Sequence, residues 1–293
     1  MSDKKELTSI FLLITLALIW GTSFILIKKG LVSFTSGEVA SLRVASAAVF
    51  LFPIALTKLK GLTGKDYWFL FLSGLIGIFI PAFLFSIAQT RIESSIAGVM
   101  NSLTPIWTML IGALIFSQRF RGYAIVGTIL GFTGTVILIM ANADGGLGQF
   151  NAYALLIVLA TLMYGGNLNL IKFKIEHLRS LTITSVSVML IGPPAIIYLL
   201  GFTDFLHTLT TVDGAWVSFG YVVLLGFMGT AFAVILFNKL VKTRSPLFAS
   251  SVTYLIPIVA VMWGVLDGEQ LYLGHFIGMI AIIGGVYLAN RKK

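Results

Sequence analysis

The chain has 293 residues, of which 58% are hydrophobic and 11% are charged, and its mean hydropathy is +1.00. A water-soluble surface needs more charge than this, so two ordinary soluble domains are excluded and the chain is predicted to lie in a lipid bilayer. The sequence contains no cysteine, which excludes disulfides, thiolate nucleophiles, cysteine-ligated zinc and iron–sulfur clusters.

The remaining polar residues do not indicate a cofactor or a metal. His177, His207 and His275 are far apart in the sequence, and none has a second ligand three or four residues further on. The net charge of +9 does not predict nucleic-acid binding, because the basic residues lie between apolar runs and not on one face with interleaved aromatic residues. We therefore expect no cofactor, no metal and no nucleic-acid partner.

Apolar runs separated by short polar or basic breaks predict an all-α integral membrane protein with ten transmembrane helices, since one span needs about 20 residues. The runs lie near residues 8–28, 37–57, 67–89, 95–116, 122–141, 152–171, 181–200, 215–238, 246–266 and 272–289. The first run stays apolar as far as Ile27 and has no obvious small-x-small cleavage site. It is therefore interpreted as a retained helix and not as a signal peptide.

The distribution of basic residues predicts the orientation. Alternating sides along the ten spans places sixteen of the 20 Lys and Arg residues on one side: Lys4, Lys5, Lys58, Lys60, Lys65, Arg119, Arg121, Lys172, Lys174, Arg179, Lys239, Lys242, Arg244, Arg291, Lys292 and Lys293. The positive-inside rule makes that side cytoplasmic. We expect a multi-pass protein of the inner or plasma membrane with both termini in the cytoplasm.

The two halves of the sequence repeat one another. Glycines and prolines recur 152 residues apart, and an aromatic-glycine pair recurs 144 residues apart, in the matches Gly74/Gly226, Gly77/Gly229, Pro105/Pro257 and Trp20-Gly21/Tyr164-Gly165. This predicts two five-helix units, residues 1–145 and 146–293. Because five is odd, the second unit begins on the opposite side of the membrane and the two are inverted, as in many secondary transporters.

Several short segments, taken in order and with the duplication, resemble a known family: Ile19 to Phe24, Leu42-Arg43, Ser94 to Pro105, Ala249 to Pro257, and Gly268-Glu269. Together they are similar to the EamA family of the drug/metabolite transporter superfamily, over essentially the whole chain. The resemblance implies two EamA repeats and a transporter, with export of amino acids or related compounds as the common activity. One position departs from the family pattern, because Gln118 stands where Glu is frequent.

Polar and aromatic residues at membrane depth predict a cavity between the two units. A buried asparagine is costly unless it faces a neighbouring helix or a wet cavity, so each such residue is either interhelical glue or part of a pathway. From the first, third and fourth spans and their repeat partners, we expect the substrate to contact Trp20, Ser86, Asn101, Trp107, Tyr164, Asn238, Tyr254 and Trp263.

Arg43 is a ninth candidate, because it lies within the second span. It is six residues past Gly37, or about 9 Å along a helix, and a charge at membrane depth is costly without a partner. One interpretation is a structural tie to a neighbouring helix; the other is attraction of an anionic substrate group. The position nearer the interface than the midplane favours the tie, and the second unit has no arginine near Ile183 or Thr184.

Other repeated residues have simpler interpretations. Lys28 and Lys172 end their spans and are expected to snorkel to the interface. The paired glycines are expected to allow close helix packing, and Pro105 and Pro257 are either hinges or inert kinks.

Three functions are compatible with this pattern. A secondary transporter that moves a small organic molecule by alternating access is preferred, and a passive facilitator or channel of the same fold is the alternative. A membrane-embedded enzyme is disfavoured, because the carboxylates lie at loops or span ends and no histidine lies at membrane depth. We expect no catalytic residues.

Overall fold

The computed structural model describes residues 2–117, 122–140, 151–243 and 252–290. Within these ranges the chain is helical between its loops and contains no strand. In chain order the long helices are α1 (Ser2–Gly30), α2 (Ser36–Leu56), α3 (Gly64–Ala88), α4 (Ser94–Phe116), α5 (Gly122–Met140), α6 (Ala154–Lys174), α7 (Ser180–Gly201), α8 (Ala215–Leu240), α9 (Val252–Leu266) and α10 (Leu273–Asn290). A short helix, Phe205–Thr211, connects α7 to α8.

Seven of these helices, α1 to α4 and α6 to α8, are long and apolar enough to cross a membrane by length and composition. The other three carry shorter apolar segments, Ile125–Ile137 in α5, Leu255–Leu266 in α9 and Leu273–Gly285 in α10. Large apolar side chains are exposed on most of the helices, as expected of a surface that faces lipid chains. The prediction of an all-α, multi-pass membrane protein is confirmed.

Capping boxes hold the starts of α2 and α3. The Thr35 hydroxyl accepts a hydrogen bond from the Glu38 backbone N–H, and the Glu38 carboxylate accepts one from the Thr35 backbone N–H. Thr63 and Asp66 form the same pair at the start of α3. Each box satisfies donors that the first helical turn leaves free, so both helices begin at a defined residue.

Three of the long helices change their winding part of the way along. A π-helical turn occupies Leu75–Phe79 in α3 and a longer one occupies Leu225–Phe232 in α8. In α4 a 3₁₀ turn at Asn101–Leu103 precedes Thr104 and Pro105. Such turns change which backbone groups pair and are frequent at functional sites. All three turns lie beside the internal cavity described below.

Glycines at or next to the two π-helical turns allow backbone contact with neighbouring helices. A β-carbon placed on Gly74 would lie 2.7 Å from the Ser187 carbonyl oxygen of α7, and one placed on Gly226 would lie 2.6 Å from the Arg43 carbonyl oxygen of α2. Both separations require glycine, so α3 lies against α7 as α8 lies against α2. Arg43 and Ser187 therefore hold equivalent positions in these two contacts.

Candidate functional site

A cavity of about 150 Å³ lies inside the helix bundle. Its wall contains residues from α1 to α4 and from α6 to α9, and the described parts of α5 and α10 contribute none. At about 30 Å³ per molecule the volume corresponds to about five water molecules, which is the size of a small organic solute. The wall includes Ile183 near the start of α7, Val252 at the start of α9 and Asn238 near the end of α8. The cavity therefore extends away from the end of the bundle at which α1 finishes, here called the Gly30 end.

Five of the nine residues expected from the sequence line this cavity: Trp20, Arg43, Asn101, Tyr164 and Asn238. They come from α1, α2, α4, α6 and α8. The Asn238 amide donates a hydrogen bond of 2.9 Å to the Thr184 hydroxyl. Asn101 lies in the 3₁₀ turn of α4, which presents it at the cavity wall.

The other four expected residues are not part of the wall that the structure describes. Ser86 follows the wall residue Phe85 by one position, and a helix turns about 100° per residue, so Ser86 faces elsewhere. Trp107 packs edge-on against Phe132 with ring centroids 5.1 Å apart. Trp263 is 37% exposed and donates to the Thr22 hydroxyl. Tyr254 belongs to α9, but its side chain lies outside the described structure.

Several hydroxyl and amide groups of the wall were not among the expected site residues: Ser73, Asn167, Thr184, Ser187 and Thr230. The Ser73 hydroxyl donates to the Asn167 side-chain oxygen at 2.7 Å. Ser187 is 1% exposed, and its hydroxyl has no hydrogen-bond partner among the described residues. The repeat would have found Ser187, because it follows Arg43 by 144 residues, the spacing that relates Trp20 to Tyr164. The expected alignment of Arg43 with Ile183 or Thr184 is therefore corrected to Ser187.

The wall combines aromatic surfaces with polar groups. The Trp20 indole N–H donates a hydrogen bond of 2.9 Å to the carbonyl oxygen of Gly229, inside the π-helical turn of α8. The same ring packs edge-on against Phe237 at 5.0 Å, and Tyr164 stacks on Phe85 at 6.1 Å. A solute in the cavity therefore meets an apolar surface with polar groups at a few defined points.

Charged side chains join neighbouring elements at the Gly30 end. The Lys28 ammonium nitrogen lies 2.8 Å from Glu269, 3.0 Å from Asp267 and 3.5 Å from Glu93. Lys29 forms a further ion pair with Asp267. These five residues, called the Gly30-end cluster, join α1 to the start of α4 and to the loop between α9 and α10. Lys28 is therefore more than an interface anchor.

Glu269 is the buried centre of the Gly30-end cluster, with a fully buried side chain. Its carboxylate accepts the Ser94 and Ser95 backbone N–H groups at 2.9 and 3.0 Å and the Ser94 hydroxyl at 2.6 Å. These residues begin α4, so a carboxylate from another loop satisfies this helix start. Burial alone would raise the pKa of Glu269, but hydrogen bonds from Lys28, Ser94 and Ser95 lower it to about 2.

The other carboxylates of the cluster respond to their neighbours. The hydrogen bond from Lys29 lowers the pKa of Asp267, against the opposing effect of burial. Burial and the nearby Glu269 charge raise the pKa of Glu93. Gln118, the sequence counterpart of Glu269, lies outside the described residues.

The fold and the internal cavity define a multi-helix membrane protein with room for a small solute. The EamA-like transporter family matches this chain twice, at residues 7–140 and at residues 151–291. These matches cover most of the sequence, and the chain belongs to the EamA-like transporter family. It is a membrane transporter, as the resemblance implied.

Its relatives carry transporter names. An uncharacterized transporter of Archaeoglobus fulgidus is 25% identical over 276 residues, which are 94% of this chain and 95% of that protein. The uncharacterized inner membrane transporter YedA of Escherichia coli K12 is 26% identical, with 96% of this chain and 90% of that protein covered. A probable amino-acid metabolite efflux pump of Escherichia coli K12 is 24% identical, with 98% and 95% covered. These names point to transport and not to enzymatic activity.

A solved crystal structure aligns with this chain at a TM-score of 0.65, covering 96% of both chains. The two sequences are 17% identical. This likeness shows that the helical fold is shared.

Proposed function

We propose that the protein is a secondary transporter that exports a small organic metabolite, an amino acid or a related compound, by alternating access. The observation that carries this proposal is the cavity, which is walled by helices from both halves of the chain, in a bundle whose helices are joined at the Gly30 end by ion pairs. An alternating-access carrier needs such a compartment, open toward one side at a time. The wall residues proposed to contact the solute are Trp20, Arg43, Asn101, Tyr164 and Asn238.

The carrier is proposed to have ten spans in two inverted repeats, residues 1–145 and 146–293. The two separate family matches support this division. The reciprocal contacts of Gly74 with α7 and of Gly226 with α2 support it as well, since inverted repeats create paired contacts of this kind. In this arrangement the two π-helical turns, one from each repeat, contribute to the wall of one cavity.

The Gly30 end is proposed to face the outside, because the positive-inside rule assigns both termini to the cytoplasm. The cavity then extends toward the cytoplasm, and the Gly30-end cluster is the closed outer gate. This is the state that an exporter needs in order to load its solute. The name of one relative, the probable amino-acid metabolite efflux pump of Escherichia coli K12, supports an amino acid as the solute.

A passive channel of the same fold is the weaker candidate, because a channel needs a continuous path and the buried Glu269 contacts join the helices tightly at one end of the bundle. Counterflow in proteoliposomes separates the two. A carrier preloaded with unlabelled solute transiently accumulates labelled solute, whereas a channel only equilibrates it.

The test uses purified protein and a panel of amino acids, nucleosides, sugars and organic cations. We expect transient accumulation of at least one amino acid. Equilibration without accumulation would support the channel, and no movement of any solute would contradict the proposed transport function.

Side-specific labelling tests the orientation. The chain has no cysteine, so Asn101→Cys in the cavity and Gln270→Cys in the exposed loop of the Gly30 end each provide a single thiol. A membrane-impermeant thiol reagent is expected to label the Gln270 variant from outside cells and the Asn101 variant preferentially in inverted vesicles. The opposite pattern would reverse the proposed orientation.

A further inference from the structure

Arg43 is the one charged residue in the part of the cavity wall that the structure describes. Its Nε donates a hydrogen bond of 2.9 Å to the Thr230 hydroxyl of α8. Among the described residues, no carboxylate pairs with Arg43 and no acceptor receives a hydrogen bond from its two terminal nitrogens. A guanidinium has five N–H donors in a planar fork, and the tie to Thr230 uses only one of them.

Two hydroxyl groups of the wall lack partners within the described chain. The Ser187 hydroxyl is buried without a partner, and the Ser187 carbonyl oxygen takes in the α3–α7 contact the place that the Arg43 carbonyl oxygen takes in the α8–α2 contact. The Tyr164 hydroxyl interacts electrostatically with Arg43 and makes no hydrogen bond to a described residue. Buried polar groups are normally satisfied, so these groups and the Arg43 fork require a ligand or water.

The charges of the described wall match one anionic group. The described part of the wall contains one cation, Arg43, and no Asp, Glu, Lys or His. A planar carboxylate accepts two parallel hydrogen bonds from a guanidinium, which gives both orientation and affinity. A cationic group of a solute has no carboxylate partner in this wall and meets aromatic faces instead, such as those of Trp20 and Phe237.

We infer that the transported solute carries a carboxylate that binds the Arg43 guanidinium, with the Tyr164 hydroxyl as a neighbouring group, and that an amino group on the solute is dispensable. This inference rests on the proposed transport function and names the substrate class for the same cavity. It gives Arg43 a binding role beyond its structural tie to α8.

The test is competition against counterflow of labelled phenylalanine or leucine, whichever accumulates in the wild-type proteoliposomes. Each competitor set holds the amino acid, its carboxamide and the same acid without its amino group. We expect the amide, which lacks the carboxylate, to compete about tenfold less well than the amino acid, as for the loss of one charged hydrogen-bonded pair. The acid without an amino group is expected to compete within about threefold of the amino acid, since only weaker cation–π contacts are lost.

Variants assign the preference to Arg43. Arg43→Gln is expected to bring the ratio of amide to acid competition close to one, and Arg43→Lys to keep part of the preference. Thr230→Val removes the structural tie but keeps the charge, so it is expected to retain most of the preference. Arg179→Gln makes the same chemical change at an exposed residue outside the cavity wall and is the matched control.

The outcomes are distinct. If the wild type accumulates only solutes without a carboxylate, transport stands and the carboxylate inference is overturned. Equal competition by acid and amide in the wild type overturns it even when Arg43→Gln fails to fold. An unchanged ratio in a folded Arg43→Gln variant also overturns it. If no solute moves, both the proposed function and this inference are contradicted.

Discussion

Lys28 and Lys172 occupy equivalent positions in the two halves of the sequence, but their surroundings differ. Lys28 contacts three carboxylates at the Gly30 end, whereas Lys172 lies over the Phe173 ring at 5.1 Å from its centroid. Among the described residues no carboxylate pairs with Lys172. The duplicated sequence thus has one half in which the terminal lysine joins three elements together, and another in which it packs locally.

The two halves of the chain also share backbone geometry at the cavity but place different side chains there. The glycine contacts and the π-helical turns recur in both halves, but Arg43 and Ser187 hold equivalent positions, as do Trp20 and Tyr164. Backbone geometry can be duplicated because it depends on small residues at close contacts. Charge and hydrogen bonding differ between the two halves, so a solute that binds Arg43 as proposed is expected to take one orientation in the cavity.

Removing the central carboxylate of the Gly30-end cluster is expected to have the largest effect on stability. Glu269→Ala leaves the Ser94 and Ser95 N–H groups buried without an acceptor and removes the closest partner of Lys28. We expect a loss of about 3 kcal/mol, because unsatisfied donors and a broken buried ion pair both contribute. Thermal unfolding in detergent measures it.

Gln270→Ala changes the neighbouring exposed residue and is the matched control for Glu269→Ala, expected to leave the unfolding temperature unchanged. Equal stability of the Glu269 variant and this control would contradict a structural role for the Gly30-end cluster.

The pH dependence of stability tests the contribution of the Glu269 carboxylate. The pKa of Glu269 is lowered from 4.5 to about 2 in the folded protein, so its ionised form stabilises the fold above pH 4.5. That contribution is lost as the pH falls from 4.5 toward about 2. We expect the stability difference between wild type and Glu269→Gln to shrink across this range. A difference that stays constant from pH 7 to pH 3 would contradict the assignment.

The shared backbone contacts are tested at their glycines. Gly226→Ala forces a methyl group to 2.6 Å from the Arg43 carbonyl oxygen, and Gly74→Ala forces one to 2.7 Å from the Ser187 carbonyl oxygen. We expect each to cost about 2 kcal/mol by overpacking, and the two costs to be similar. Gly220→Ala lies in the same helix as Gly226 with no atom within 4 Å, so it is expected to cost nothing. Markedly unequal costs would mean that the two contacts are not equivalent.

Sequence reasoning predicted the helices well, because each span is a run of apolar residues with polar breaks at its ends. The expected runs 37–57 and 95–116 correspond to α2 and α4 within one residue at either end. The polar residues at membrane depth also indicated an internal cavity, since they are costly anywhere else.

The sequence did not predict which face of each helix meets the cavity. Ser86 was expected at the site, but its neighbour Phe85 is there, because one residue of rotation decides the direction of a side chain. The π-helical turn in α3 precedes this point and has no clear signature in the residues. The ion pair of Lys28 with Glu269 joins residues 241 apart in the sequence. Nothing in the local sequence around either residue indicates which residue is its partner.

The smallest expected effect distinguishes Trp20 from Tyr164. Trp20→Phe removes the indole N–H that satisfies the Gly229 carbonyl oxygen, so we expect a loss of about 1 kcal/mol. Tyr164→Phe removes a hydroxyl without a described hydrogen-bond partner, so its stability is expected to match the wild type, with weaker competition by carboxylate solutes. Trp263→Phe also removes an indole hydrogen bond, but in an exposed position, and is the control for the change of ring. Thermal unfolding and competition are measured on all three variants. If Tyr164→Phe destabilises the protein as much as Trp20→Phe, the two residues have the same structural role, and the hydroxyl of Tyr164 is not reserved for the solute.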